Sequence, residues 1–254
     1  MQIPPIPQLS HLVRHFLILE SPDAERVMHR LIPDGNPGIV FHYGAPFEPF
    51  PKSFVYGPIT RPVDIVSTGA IGVFIVVLRP YGLSLLTGRP AYTLTNTVLS
   101  LHELRGGRAV EKQLLYATTH QQKLDVIQAF LLWQDAPLPD PLVAHSLQWL
   151  EEHEDCVMEE LTGELAVSRR TLERIFQAAI GISPKQFAGI LRTQHFLKAL
   201  SLLDTGNITG LAYEFGYYDQ SHLIRDFKTR TGITPGKYAA GRDALALNFI
   251  QLGA

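Results

Sequence analysis

Two stretches near the C-terminus, SRRTLERIFQAAIGISPKQF (168–187) and DQSHLIRDFKTRTGITPGKY (219–238), superpose at a constant offset of 51 residues. Leu172 meets Leu223, Arg174 meets Arg225, Phe176 meets Phe227, Gly181 meets Gly232, Ser183-Pro184 meets Thr234-Pro235 and Phe187 meets Tyr238. Upstream the offset is 50, pairing Leu161 with Leu211 and Ala166 with Gly216, so the one extra residue falls in a turn between short helices, where insertions are tolerated. In the first unit Leu172, Ile175, Phe176 and Ala179 stand at i, i+3, i+4 and i+7 and make one apolar stripe. Arg169, Arg170, Glu173, Arg174 and Gln177 are left on the open face. In the second, Leu223 and Phe227 point inward, while Gln220, Ser221, Ile224, Arg225 and Lys228 look outward or flank the stripe. Gly181 and Gly232 fall where a helix ends in a left-handed residue, and Ser183-Pro184 and Thr234-Pro235 supply an N-cap and a first-turn proline for the next helix. The pattern predicts two helix-turn-helix units. Between them PKQFAGILRTQHFLKALSLLD (184–204) reads as one helix. At ~1.5 Å per residue it spans roughly 30 Å, comparable to the ~34 Å between successive major grooves on one face of a duplex.

The whole chain is slightly acidic, with a formal net charge of -2, yet its charge is unevenly spread. Residues 165–240 carry ten cations against five acids. The stretch EEHEDCVMEE (151–160) gathers carboxylates on helices expected to turn them away from a nucleic acid. Affinity for a polyphosphate follows local cations rather than the net total, and it falls steeply with salt. Lys185, Lys198, Lys228, Arg230 and Lys237 are therefore candidate phosphate contacts as a group, although each taken alone is also an ordinary solubilising charge.

The first half follows a different grammar. Over 1–106, runs such as HFLILE, GIVFHYG, KSFVYGPI and GVFIVVL are cut by proline and glycine without helical period, which predicts an all-β barrel or sandwich. The longest apolar run, GAIGVFIVVL (69–78), is too short to cross a membrane, which takes ~20 residues, and reads as a buried strand. Residues 107–134 predict one or two connecting helices, with Thr118 and Gln121 in capping-box spacing. Leu124, Ile127 and Leu131 share one face there, either as a dimer seam or as packing on their own barrel. Three prolines in QDAPLPDP make 135–141 a linker; 142–240 reads as almost wholly helical, and 241–254 as a C-terminal tail. The fold class is α+β multidomain. One cysteine, Cys156, and a start without a signal-peptide pattern fit a reducing cytoplasm with no membrane association.

The second unit, ITGLAYEFGYYDQSHLIRDFKTRTGITPGKY, resembles the signature of the AraC/XylS family of bacterial transcription regulators in its A-x-x-x-G-(F/Y), D-Q-S-H-(F/L), R-x-F-K and G-(I/V)-T-P-x-x-Y elements. The first, LAVSRRTLERIFQAAIGISPKQF, is similar, with Thr162 and Ala166 in place of the small residue and turn glycine often seen there. IPDGNPGIVFHYG and VLRPYGLSLLTG resemble the β-rich sensor regions that precede such domains. The resemblance implies a cupin-like N-terminal sensor for a small-molecule effector, pairing into a homodimer through the helix that follows, and double-stranded DNA and RNA polymerase as partners. It also implies base-edge contacts from Arg170, Glu173 and Arg174, with Arg169 beside them among the DNA-binding residues, and from Gln220, Ser221, Ile224 and Arg225; arginine suits the bidentate guanine edge. The bland reading of the same residues is a solvated helix face. His222, inside the strongest motif, reads as a packed or capping residue.

A catalytic, cofactor or metal site is not expected. His11 and His15 have the i, i+4 spacing of helical metal ligands but no glutamate between them, and the H-x-H cupin metal pattern is missing. Cys156 lies beside His153 in an acidic stretch that disfavours a thiolate. Two other readings stand beside the regulator: a β-barrel enzyme or ligand carrier with a helical protein-interaction module, and an N-terminal half that serves only dimerisation.

Overall fold

The computed structural model describes residues 1–22, 25–153, 158–202, 211, 215, 217, 219–240, 244–246 and 248–252. Cys156 and Gly216, named above, lie outside them, as do parts of the stretches quoted as 151–160 and 184–204. The apolar runs of the first half form β1 (Gln2–Ile3), β2 (Val13–Ser21), β3 (Val27–Leu31), β4 (Gly38–His42), β5 (Ser53–Tyr56), β6 (Val63–Ser67), β7 (Ile71–Leu78) and β8 (Val98–Ser100). β1, β2, β7, β4, β5 and β8 make a six-stranded antiparallel sheet in that order. β7, the run expected to be a buried strand, sits between β2 and β4 and is covered on both faces. That double coverage is why it reads as an unbroken apolar run rather than an alternating one.

One face of this sheet looks inward across the sandwich, with Leu19, Val40, Phe54 and Val73 packed with Phe47 and Ile65. The opposite face carries Phe16, Ile39, Val55, Phe74 and Val76 and is covered by α2 (Gly107–Tyr116) and α3 (His120–Trp133), with Leu83 of the short α1 (Gly82–Thr87) in the same core. A helix inside 1–106 was not expected; α1 has six residues, too few to show a helical period. Leu124, Ile127 and Leu131 are 8%, 0% and 1% exposed in this core. Of the two roles open to them, the structure gives packing on their own sheet, and the dimer seam is withdrawn because these side chains have no face left to offer. The capping box also lies one residue later than expected: Gln122 N–H donates to Thr119 Oγ1 (3.1 Å) and Thr119 N–H donates to Gln122 Oε1 (3.2 Å). Gln121 instead donates to Asp125 one turn on (2.8 Å).

Beyond the proline-rich stretch come α4 (Pro141–Glu152), α5 (Met158–Glu164), α6 (Arg169–Ala179), α7 (Pro184–Leu202), α8 (Gln220–Thr231) and α9 (Pro235–Ala240). Leu172 and Phe176 of α6, Phe187 and Ile190 of α7 and Leu147 and Leu150 of α4 share one core. Phe196, Leu197 and Leu200 of α7 join Leu223 and Phe227 of α8 in a second. Gly181 and Gly232 take φ +88° and +73°, as the repeat required.

The segment read as a tail returns to the first domain. β9 (Ala244–Ala246) and β10 (Phe249–Leu252) complete a four-stranded sheet in the order β6, β3, β10, β9, with Phe249 opposite Leu31 and Leu252 opposite Met28. Consecutive residues of a strand point to opposite faces, and here those faces belong to different domains. Phe249 enters the core between the two sheets, stacked on His29 at 5.0 Å, while Ile250 enters the core of the second helix-turn-helix unit. Both are 3% exposed. Tail was thus an incomplete description of 241–254, because three or four apolar residues acquire a strand's identity only from the partner they pair with.

Truncating either side chain opens a buried cavity, so Phe249→Ala should cost about 3–4 kcal/mol and Ile250→Ala about 2–4 kcal/mol in urea unfolding. Because β10 serves both cores, each variant should lower the transitions of both domains together.

Candidate nucleic-acid interface and adjoining cavity

Helix α6 starts at an N-cap, Ser168, whose Oγ accepts from Thr171 N–H at 3.1 Å. The turn before it passes through Ala166 at φ +51°, so alanine takes the left-handed conformation that glycine would adopt more easily. Leu172 and Phe176 are buried and Ile175 and Ala179 half-buried, as the stripe predicted, and Arg169, Arg170, Glu173 and Arg174 are all exposed. Arg169 Nε donates to Glu173 Oε1 at 3.4 Å, an exposed i, i+4 pair worth a few tenths of a kcal/mol at most. Such a pair reorganises at little cost when a base edge or phosphate competes for either partner.

Helix α8 is built alike. Asp219 Oδ1 accepts from His222 N–H at 2.7 Å, and Gln220, Ser221 and Arg225 are exposed with Ile224 half-buried beside them. The backbone of His222 serves the cap, whereas its ring is exposed and meets Tyr217 edge-on at 5.5 Å, so it stands on the open face rather than packed.

The candidate phosphate contacts divide. Lys185, Lys228 and Lys237 are exposed on the helical domain. Lys198 is exposed too, but it lines a cavity described below. Arg230 is half-buried, donates from Nε to Asp226 at 3.2 Å and lies over Gly189 of α7, so close that a Cβ there would meet its guanidinium. It holds α8 to α7, a role the sequence could not distinguish from a surface charge.

The sequence gives no sign of how the C-terminal ends of α6 and α8 are treated. Each helix leaves its last carbonyls without intrahelical donors, and side chains of the β domain supply them. Ser84 Oγ, its single proton shared between Tyr81 O (2.8 Å) and Ala179 O (2.9 Å), serves the last residue of α6, and Thr95 Oγ1 donates to Gly181 O, just past the helix end, at 2.8 Å. On α8, Arg30, which also pairs with Asp64 at 2.6 Å, donates from Nη1 to Thr231 O at 3.5 Å. Gln194 Nε2 of α7 donates to Pro33 O at 2.7 Å, and an Arg14–Glu151 pair at 3.2 Å ties β2 to α4. Both candidate recognition helices are therefore gripped at their C-terminal ends and open at their N-terminal ends.

Behind this contact lies a cavity of about 720 Å³, walled by Leu19, Val40, Phe54 and Ile65 of the sheets, by Leu191, Gln194, His195 and Lys198 of α7, and by Asn248 and Phe249 of the returning segment. Its polar wall includes Arg14, His15, Asp34, Asn36 and Tyr56. His15 sits on strand β2 and not on a helix, so its spacing from His11 is not that of two helical ligands. Burial, and secondarily the charge of Arg14, lower the His15 pKa to about 4. Burial likewise raises the pKa of the Asp34 carboxyl. No three His, Cys, Asp or Glu side chains among the described residues cluster as metal ligands.

Residues 161–241 match the family profile of a helix-turn-helix domain, and residues 1–100 match a domain of unknown function, DUF6597. The HTH-type transcriptional activator RhaS of Citrobacter koseri is 30% identical over 128 residues, 49% of this chain and 45% of that protein. RhaS of Klebsiella pneumoniae is 27% identical over the same length. The match thus spans less than half the length of these curated relatives. Among solved structures, ToxT from Vibrio cholerae is similar over 89% of this chain and 97% of its own at a TM-score of 0.51 and 8% identity. ToxT from Vibrio cholerae O395 bound to (E)-4-(8-methylnaphthalen-1-yl)but-3-enoic acid aligns at 0.50 and 10% identity, again over 89% and 97%. These likenesses are likenesses of fold: a β-rich N-terminal domain followed by two helix-turn-helix units. No helix among the described residues is long and apolar enough to cross a membrane.

Two measurements check the local physics. Ala166→Gly relieves a left-handed alanine at the cost of a freer unfolded chain, and should stabilise by up to about 1 kcal/mol in urea unfolding. The lowered His15 pKa means that the unfolded chain takes up a proton that the folded chain refuses. His15 should therefore favour the fold fully above pH 6.5 and lose that contribution as pH falls toward about 4. Between those limits the loss should be on the order of 1–2 kcal/mol after allowance for solvent screening, and His15→Gln should flatten it.

Proposed function

We propose, from the match of residues 161–241 to a helix-turn-helix domain and from the resemblance of both units to the AraC/XylS signature, that this chain is a sequence-specific DNA-binding transcription regulator whose β domain answers to a small molecule held in the cavity. The observation that carries this reading is the pair of helices α6 and α8, gripped at one end by the β domain and exposed at the other. A recognition helix meets base edges through its N-terminal residues, which here are Arg169, Arg170, Glu173 and Arg174 on α6 and Gln220, Ser221, Ile224 and Arg225 on α8. Lys185, Lys228 and Lys237 would supply phosphate contacts that set register without reading sequence. Arg230 and Lys198 are better assigned elsewhere, the first to the α7–α8 contact and the second to the cavity.

The cavity falls within the ~300–1,000 Å³ typical of small-molecule sites, and it is lined from both domains. A ligand there touches α7, the helix between the two units, and can bias how both are held, which shifts the population able to occupy two half-sites. The organic acid bound to ToxT is consistent with a fold that accepts such molecules. Homodimerisation and contact with RNA polymerase belong to the same proposal. A pairing surface would draw on the outer sides of α2 and α3, which expose Leu115, Tyr116, Leu132 and Trp133, rather than on the buried Leu124 face. The enzyme or carrier alternative has no observation in its favour beyond the cavity itself.

Duplexes selected from a random library by the wild-type protein give the test. Arg174→Ala and Arg225→Ala should each weaken binding to selected duplex by about 1–3 kcal/mol while binding to random duplex changes little. Because both side chains are exposed, thermal stability should be unchanged. Equal losses on both duplexes would reduce these arginines to phosphate contacts, and insensitivity to salt would contradict the electrostatic argument.

A further inference from the structure

The open face of α8 carries an imidazole as well as an arginine. His222 is the third residue of the helix, and its backbone N–H is taken by the cap, Asp219 Oδ1 at 2.7 Å. The side chain is exposed, and neither ring nitrogen has a hydrogen-bond partner among the described residues. The ring is nonetheless held. It meets Tyr217 edge-on at 5.5 Å, and Tyr217 is only 2% exposed. The Tyr217 hydroxyl donates to Asp226 Oδ2 at 3.2 Å, Asp226 accepts from Arg230 Nε at 3.2 Å, and the Arg192 guanidinium of α7 lies 5.9 Å from the Tyr217 ring centroid. A buried, hydrogen-bonded ring thus props an exposed one, which reduces the rotamer freedom that any contact from His222 has to give up.

The two units differ at this position. At the offset of 51, His222 meets Thr171 and Ile224 meets Glu173. Thr171 is half-buried with its Oγ1 2.9 Å from Ser168 Oγ in the α6 cap, whereas Glu173 is exposed. On α8 the exposure is reversed, with His222 exposed and Ile224 half-buried. At ~100° per residue, His222 and Ile224 stand on opposite flanks of Ser221 and Arg225. The polar reach of α6 is therefore extended toward one flank by an acceptor, and that of α8 toward the other by a donor.

We infer that His222 is a DNA contact of the second unit, its ring N–H donating to an acceptor on the duplex, a base-edge atom or a phosphate oxygen. This rests on the reading of α8 as a recognition helix and adds to it a residue that the sequence alone places in the core or the cap. A neutral imidazole carries one N–H, so the donor is present without a charge. It sits in the first turn, where recognition helices meet base edges and where the helix dipole draws anions. Ile224, on the other flank, has only apolar contact to offer.

Fluorescence anisotropy with duplex selected by the wild-type protein and with random duplex tests the contact. His222→Ala should weaken binding to selected duplex by about three- to tenfold, the loss of one hydrogen bond. A loss confined to selected duplex assigns the acceptor to a base edge; the same loss on random duplex assigns it to phosphate. His222→Gln keeps an N–H donor and should recover most of the affinity, and a glutamine variant as weak as the alanine one would overturn the hydrogen-bonding role. A second measurement needs no variant. Diethyl pyrocarbonate acylates exposed imidazoles, and peptide mass spectrometry reads each one; saturating selected duplex should abolish the reaction at His222 and spare exposed His102 of the β domain. Unchanged affinity in His222→Ala, or a His222 as reactive in the complex as in the free protein, overturns the inference. Arg225→Ala separates that failure from failure of the underlying reading. If it loses discrimination while His222→Ala is silent, α8 reads DNA without its histidine; if the wild type itself binds selected and random duplex alike, both readings fall.

Discussion

The arrangement of this molecule depends on where the orphan carbonyls at the ends of two helices find their donors. Ser84 and Thr95 serve the end of α6, and Arg30, itself steadied by Asp64, serves the end of α8. A helix end buried without donors is expensive, so the β domain and the helical domain are held in one register by groups that cannot easily be left unpaired. The same contacts decide which ends of the helices remain open. Arg169, Arg170 and Arg174 on α6 and Gln220, Ser221 and Arg225 on α8 lie away from the occupied C-terminal ends and are exposed.

The returning strand adds a second constraint of a different kind. With Phe249 in one core and Ile250 in another, β10 converts the alternation of a strand into a joint between domains. Its neighbour Asn248 reaches the buried Asp34 and lines the cavity. The cavity wall is thus drawn from the sheets, from α7 and from a segment that follows the second helix-turn-helix unit in the chain. Whatever fills that space acts on all three at short range, through side chains in contact rather than through a distant relay. Coupling of this form needs a difference in free energy between two arrangements of the domains, and the polar loop Asp34–Asn36 is placed where a ligand can supply it.

The repeat, the inward stripes, the caps and the left-handed glycines were legible because each depends on residues close in sequence. Leu172 and Phe176, Leu223 and Phe227, Ser183 and Thr234 are fixed by helical spacing and by local hydrogen bonding, and the structure places them as that spacing demands. The β-rich character of the first half was legible for the same reason. Arg230 shows the limit. In sequence it is one cation among several, and only its neighbours Asp226 and Gly189, the second 41 residues away, make it an interhelical contact. Leu124, Ile127 and Leu131 show another, since an apolar helix face states that it will be buried without stating against what.

By itself, then, the chain's order of residues determined two helix-turn-helix units, their polar faces and a β domain ahead of them, through interactions within a few residues of one another. Tertiary structure alone decided that 249–252 is a strand of that β domain, that hydroxyls and a guanidinium from the β domain close the ends of α6 and α8, and that a cavity opens between the sheets and α7. Strand pairing and helix-end donors join groups two hundred residues apart or more, as Arg30 and Thr231 are, and Met28 and Leu252. No local pattern encodes such a partner, because either group would look the same in sequence wherever its complement lay.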